Sequence, residues 1–267
     1  MAFPTALAIN ASDSSGLDGV QADLRAFSSL KVCGTSAITA ITAQNSQTVT
    51  AAEMVAPALV EAQIRAVLDD MPVTAVKVGA LGSSEMVETV AATLADVCNV
   101  PVVVDPFMVA RSGAHLADDA TVAAFKEHML PLAAVVTANM AEAALLAGTE
   151  RAGNLGDMME QGQAIHEMGA KMVIVTGGHG QSDSSYDIMI SAERPPVQLR
   201  ADRLERKNTR GLSSTLSAGI AAHIAHEFEA YESVQFAKVF VTSALDASDK
   251  LTSGAGPGPV HQMHRLW

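Results

Sequence analysis

The chain has 267 residues, 49% of them hydrophobic, with a mean hydropathy of +0.23, enough to bury the core of an α/β unit. A formal charge of −12 leaves no basic surface for nucleic acid or an anionic membrane, although a small site can still be locally positive around a phosphate. No apolar run is long enough to span a bilayer, and Met1-Ala2-Phe3-Pro4 has no basic n-region ahead of an h-region, so a cytoplasmic protein is expected. Cys33 and Cys98 lack metal-like spacing and read as buried or incidental thiols of a reducing compartment.

Along the chain, Thr5–Asn10 reads as a first strand that stops at a polar, glycine-containing loop, 11–19. Val20, Leu24 and Phe27 then repeat at helical spacing. Ser36–Ala43 is the next buried strand, ending in Gln44-Asn45-Ser46. Pro57 opens a helix with Val60, Ile64, Val67 and Leu68 on one face, and proline suits a first turn. Thr74–Val78 is a short strand; Ser83 or Ser84 caps the helix that carries Val87, Val90, Leu94 and Val97. Val100–Val104, Ala133–Thr137 and Met172–Val175 read as parallel-type strands. Tyr186–Ile190 and Val197–Arg200 form an expected antiparallel pair at an edge. Two helices, about Ser213–Phe228 and Ser233–Lys250, precede a Gly/Pro-rich tail. This alternation predicts one α/β domain over 1–267, with a mainly parallel central sheet, helices on both faces and a small antiparallel edge.

In open parallel sheets, ligands sit beyond the carboxyl ends of the strands. Those ends carry Asp13, Gln44, Lys77, Asp105, Asn139 with Glu142, and Gly177-Gly178-His179. A single acidic residue there caps the next helix more often than it binds anything, but so many together argue for a shared cleft. The stretch 207–220 adds a polar loop running into a helix, with Leu216, Ile220, Ile224 and Phe228 as one stripe of an amphipathic helix. Such a helix start can hold a phosphate on its free N–H groups, or be an ordinary serine-capped terminus. Neither G-x-G-x-x-G nor G-x-x-x-x-G-K-[ST] nor G-x-S-x-G occurs, which argues against dinucleotide, P-loop and hydrolase readings.

Taken in order, the motifs are Ser15-Gly16…Gly19-Val20-Gln21-Ala22-Asp23-Leu24, Ile38-Thr39-Ala40…Ala43-Gln44-Asn45 and Lys77-Val78-Gly79. They continue with the run 104–113 that begins Val104-Asp105-Pro106-Phe107, then Asn139-Met140-Ala141-Glu142, Gly177-Gly178-His179, Lys207-Asn208-Thr209 and a terminal Gly258-Pro259-Val260-His261. From about Leu7 to Trp267 the chain resembles the hydroxymethylpyrimidine/phosphomethylpyrimidine kinases of the ribokinase-like superfamily. The resemblance implies ATP-dependent phosphorylation of a pyrimidine alcohol and then of its monophosphate, as in thiamine biosynthesis, with Mg²⁺ as cofactor and a homodimer as the assembly. It places Asp105 and Glu142 at the metal, where hard oxygen ligands and retained waters suit Mg²⁺. By the same resemblance Asn139, Thr176, Gly178, Thr209 and Lys207 face the nucleotide, and Ala11, Asp18, Thr42, Gln44, Ala80 and Phe107 face the substrate. Arg210, Gly211, Ser213 and Ser214 take the catalytic anion-hole positions.

Several of these positions depart from the family pattern. Where it has His-Gly-Thr-Gly-Cys, with the cysteine as base, this chain has Arg210-Gly211-Leu212-Ser213-Ser214. A neutral hydroxyl accepts a proton far less readily than a thiolate. Gly-Gly-Ala-Gly has become Gly16-Leu17-Asp18-Gly19, and Ala11 replaces a glycine. Ala80 replaces a methionine while Phe107 replaces a valine, a possible exchange of volume between two walls of one pocket. Thr176 replaces a lysine that would reach the nucleotide phosphates. Three functions therefore compete: a pyrimidine kinase with a remodelled pocket, a kinase for a pyridoxal-type ring, and a ligand-binding homologue without turnover. Bland readings stand beside the rest: Lys77 as a structural ion-pair partner, His179 as a strand terminator, and His261 with His264 as packing near the C-terminus.

Overall fold

The computed structural model describes residues 3–109, 114–178 and 184–266; the end of the run 104–113 from residue 110 on, His179 and Trp267 lie outside them. The strands are β1 (Thr5–Asp13), β2 (Cys33–Gln44), β3 (Val49–Met54), β4 (Val73–Val78), β5 (Val102–Val104), β6 (Ala133–Asn139), β7 (Met172–Thr176), β8 (Ser184–Ser191) and β9 (Arg194–Asp202). The helices are α1 (Gly19–Ser29), α2 (Pro57–Leu68), α3 (Ser84–Val97), α4 (Asp119–Ala124), α5 (Met140–Ala147), α6 (Leu155–Glu167), α7 (Leu212–Ala225) and α8 (Ala230–Asp246).

The strands form one nine-stranded sheet in the order β3-β2-β1-β4-β5-β6-β7-β8-β9. From β2 to β7 neighbours run parallel, while β3 at one end and β8–β9 at the other are antiparallel. Successive side chains serve opposite faces. Leu7, Ile9, Val76, Val78, Val102 and Val104 join the core beneath α2, α3, α5 and α6, whereas Ala6, Ala8, Ala75 and Val103 join the one formed with α1, α7 and α8. Covering on both faces is why these strands read as continuous apolar runs.

The sequence expectations hold for this α/β architecture and need four corrections. Strand β3 is an additional antiparallel edge; all six of its residues are exposed, so no apolar periodicity marks it. Pro195 and Pro196 lie inside β9, tolerated because an edge strand has one free side. Helix α7 is not amphipathic: from Ser214 to Ala225 only His223 escapes full burial, and the helix stops before Phe228, which is 43% exposed. It lies under the sheet with α1 and α8 packed against it, and its many small residues permit that approach. Cys33 is exposed and Cys98 partly buried, both unpaired, so the first is not a core thiol.

The order in which strands are added reverses between β1 and β4: β2 lies to one side of β1, and β5 to β7 follow on the other side of β4. A crevice opens beyond the strand ends at such a switch point. Strand β1 is irregular there, its register with β2 shifting between Asn10 and Ser12.

Candidate active site

Helix α7 enters this crevice with its N-terminus. Its N-cap is Gly211, at φ 72°, with no side chain to cap, and the first intrahelical bond is Thr215 N–H to the Gly211 carbonyl at 2.9 Å. The amides of Leu212, Ser213 and Ser214 therefore find no acceptor among the described residues and present the positive end of the helix dipole. Gly211 is required: a Cβ there would lie 2.6 Å from the Leu17 carbonyl oxygen. The C-terminal segment braces the loop from behind, since Arg210 N–H donates to Gly258 O at 2.9 Å and Val260 N–H to Arg210 O at 3.0 Å. Asn208 ties the same tail down through Ser248 O, Leu251 O and Gly258 N.

The two serine hydroxyls of the first turn of α7 each meet a carboxylate, while Thr215 Oγ1 donates to the Gly211 carbonyl at 2.6 Å. Ser213 Oγ donates to Asp105 at 2.9 Å from either oxygen, and Ser217 Oγ to Asp105 Oδ2 at 3.1 Å. Ser214 Oγ donates to Asp18 Oδ1 at 2.7 Å. Ser217 is one turn beyond Ser213 on the same helix face, a spacing that could have marked it as a partner in the sequence.

Asp105, just past β5, is buried; burial raises its pKa, the Lys77 charge and the Ser213 bond oppose this, and the Asp18 charge adds to it. Glu142 is also buried, and burial together with the Asp105 charge pushes its carboxyl up to about 8. Its oxygens accept from Met108 N at 3.2 Å and Asn139 N at 3.1 Å. Asn139 completes a capping box for α5, its Oδ1 accepting from Ala141 N and Glu142 N. Among the described residues no three His, Cys, Asp or Glu side chains gather as a direct ligand set. Two buried carboxylates, the charge of Asp105 raising the pKa of Glu142, with their oxygens already accepting protein hydrogen bonds, fit a divalent cation held through water rather than by direct ligation.

On the β1 side, Asp13 organises the loop into α1: its carboxylate accepts from Ser15 N and Oγ, Leu17 N, Asp18 N and Gln44 Nε2. Gln44 and Thr42, on β2, are thereby joined to β1, Thr42 Oγ1 donating to Ser12 O at 3.1 Å. Asn10, missed in the sequence because it ends an apolar strand, bridges β1, α1 and the end of β4. Its Oδ1 accepts from Ala11 N and Ala80 N, both at 2.9 Å, and its Nδ2 donates to Asp23 at 2.8 Å. Below it Lys77 and Asp23 form an ion pair at 3.0 Å with neither side chain exposed, the structural role expected for Lys77. Phe107, two residues past Asp105, is 41% exposed and has φ 47°, a strained setting for a bulky residue.

Of the residues assigned to the nucleotide, Asn139 and Thr176 are register partners at the ends of β6 and β7. Gly178 follows β7, its carbonyl accepting from Arg203 Nη1 at 2.7 Å. Thr209 leads into the anion-hole loop and is half-buried. Lys207 is exposed, and its amide donates to Asp249 rather than toward the crevice residues.

The family model for phosphomethylpyrimidine kinase matches residues 13–261. The chain belongs to this family. It is 45% identical over 262 residues to a hydroxymethylpyrimidine/phosphomethylpyrimidine kinase of Rhizobium meliloti, covering 98% of both proteins. Among solved structures it is similar to a pyridoxal kinase from Staphylococcus aureus in complex with ADP, with a TM-score of 0.91 and 29% identity over 100% of this chain and 96% of that one. A phosphomethylpyrimidine kinase from Clostridium difficile gives a TM-score of 0.79 and 34% identity over 90% of this chain and 98% of that one. The fold is thus that of the ribokinase-like kinases. No helix among the described residues is long and apolar enough to cross a membrane.

Proposed function

We propose that this chain, acting as one kinase domain, transfers the γ-phosphoryl group of ATP to hydroxymethylpyrimidine or to its monophosphate. One observation carries the reading: the uncapped N-terminus of α7 faces the crevice at the sheet's switch point beside buried Asp105. Phosphoryl transfer asks for positioning and for stabilisation of charge on the transferred group, and three free amides at a helix start supply both. Asp105 and Glu142 would hold Mg²⁺ through its waters, and the ion would neutralise phosphate charge there. The ADP complex of the similar Staphylococcus aureus pyridoxal kinase supports ATP as donor. Asn139, Thr176, Gly178, Thr209 and Lys207 would line the nucleotide side; Ala11, Asp18, Thr42, Gln44, Ala80 and Phe107 would line the acceptor side, with Phe107 offering an exposed ring.

The exposed residues Ile41, Val49 and Met54 along β2 and the open edge strand β3 support a homodimer, and the net charge of −12 supports a protein without a nucleic-acid partner. A pyridoxal-type ring is the second reading, favoured by the TM-score of 0.91 to a pyridoxal kinase but opposed by the higher identity, 45%, to a pyrimidine kinase. Coupled ADP release with the pyrimidine alcohol, its monophosphate and pyridoxal tests both. Turnover is expected with the pyrimidines; turnover with pyridoxal alone would overturn the reading. Binding of the pyrimidine without turnover would leave only a ligand-binding homologue.

A further inference from the structure

Asp18, in the loop that caps α1, and Ser214, in the first turn of α7, bring a carboxylate and a hydroxyl together beside the free amides of the anion hole. They are 196 positions apart in the chain and in contact in the structure, Ser214 Oγ donating to Asp18 Oδ1 at 2.7 Å. A hydroxyl at the mouth of the anion hole thus has a carboxylate as its partner. A lone serine hydroxyl is a poor proton acceptor, whereas a carboxylate is a common general base. We propose that Asp18 is the proton acceptor of the reaction in this chain, working through the Ser214 hydroxyl.

The surroundings fit that role. Asp18 is held in extended conformation at the N-cap of α1, its amide donating to Asp13 Oδ2 at 3.0 Å and its Oδ1 accepting from Gly19 N at 2.9 Å. Oδ1 takes the Ser214 bond while Oδ2 accepts nothing from the described residues, and the side chain is only half-buried, so the carboxyl group has a route to water for a proton it takes up. The charged groups facing it are Asp105 from the end of β5, Arg25 from α1 and, within its own loop, Asp13. This inference rests on the kinase reading above. In the step, the acceptor hydroxyl oxygen bonds to the γ-phosphorus while the bond from that phosphorus to the bridging oxygen breaks, and ADP leaves with the electron pair. The hydroxyl proton passes to Ser214 Oγ as the Ser214 proton moves to Asp18, which releases it to solvent.

The test compares the wild type with Asp18→Asn, Ser214→Cys and the double variant. Asparagine caps a helix as well as aspartate does and can still accept from Ser214, so Asp18→Asn keeps the fold, checked by circular dichroism and Tm, while removing the base. Expected is a loss of about 100-fold or more in kcat with KM for ATP within roughly twofold. Adding Ser214→Cys to Asp18→Asn should recover at least about tenfold, move the acid limb of the kcat profile toward the thiol range near 8.5, and introduce inactivation by iodoacetamide. Asp18→Asn with kcat within about threefold of wild type, or a double variant with no recovery and an unmoved acid limb, overturns the proposal. The same comparison run on basal ATP hydrolysis, with water as acceptor, needs no knowledge of the ring. A failure of the pyrimidine reading thus shows as absent ring turnover, and a failure of this inference as hydrolysis insensitive to Asp18→Asn.

Discussion

Ser213 Oγ lies 2.9 Å from both carboxylate oxygens of Asp105, so one hydroxyl of the anion-hole turn sits across the carboxylate that would serve the metal. With Ser217 also donating to Oδ2, much of the acceptor capacity of Asp105 is occupied by protein. Waters on a bound Mg²⁺ would compete for the same oxygens. Ser213→Gly should therefore lower the Mg²⁺ concentration for half-maximal rate by roughly twofold to tenfold, the worth of one net hydrogen bond. Glycine in the first turn should cost below about 1 kcal/mol of stability. A Mg²⁺ titration of initial rates for the two proteins checks it, and an unchanged or higher requirement would remove Ser213 from the metal region.

Gly211 holds the turn that exposes the three amides, and its φ of 72° leaves no room for a side chain. Gly211→Ala would place a methyl 2.6 Å from Leu17 O, in backbone shared with the Asp13-organised loop. The left-handed conformation alone costs a non-glycine residue about 1–2 kcal/mol, and the contact adds to it. Expected are a lower Tm and a loss of kcat larger than the loss of ATP affinity, because the turn must shift where the transferred group is stabilised. Thermal denaturation with steady-state kinetics reads both; a variant matching wild type in both would mean that the loop needs no glycine.

The sheet was legible because covered parallel strands leave uninterrupted apolar runs such as Val102–Val104, and their polar ends located the crevice. Strand β3 was not, since all of Val49–Met54 is exposed and the strand is held by backbone pairing and the Thr50 Oγ1 bond to Ala43 O at 3.0 Å. The stripe Leu216, Ile220, Ile224 was right as far as it went, but small residues on the other faces of α7 hide its complete burial from any count of large apolar side chains. At the site, individual residues could be nominated from motif order, yet their pairing could not. Nothing in spacing joins Asp18 to Ser214 or Ser213 to Asp105, because those contacts depend on where α7 enters beneath β1 and β5. Asn10 escaped notice because its role, bridging the ends of β1 and β4, exists only once those strands are neighbours.

Phe107 combines an exposed ring with a backbone conformation that bulky residues avoid. Strain of this kind persists where surrounding structure enforces it, and here it holds an aromatic face two residues from Asp105. Phe107→Gly should raise Tm or leave it unchanged, since glycine accepts φ 47° freely. It should also raise KM for a ring substrate by about twofold to tenfold, the range expected for one lost aromatic contact, with KM for ATP unaffected. Parallel KM measurements for both substrates separate this from a general loss of structure. A fall in Tm with no change in ring KM would make Phe107 a packing residue.

The Lys77–Asp23 pair lies under the crevice with neither side chain exposed, and Asn10 Nδ2 supplies a further bond to Asp23 at 2.8 Å. Burial outweighs the attraction of Lys77 and pushes the Asp23 carboxyl up to about 6, against an ordinary value of 3.8. The folded protein therefore holds this proton more tightly than the unfolded chain. The stabilisation that follows is complete below about pH 4 and is lost as pH rises through about 6, a change on the order of 3 kcal/mol. Lys77→Met alone leaves a buried carboxyl without its cation and should cost roughly 3–5 kcal/mol at pH 7. Combining it with Asp23→Asn removes both charges while keeping an acceptor for Asn10, and should recover more than half of that loss. The double variant should also lack the Asp23 contribution to the fall in stability between pH 4 and 6. Urea denaturation of the three proteins at pH 4.5 and pH 7 measures both effects. If Lys77→Met costs less than about 1 kcal/mol, the pair does not hold the floor of the site together, and the positions of Asn10 and Ala80 must be fixed by the strand pairing alone.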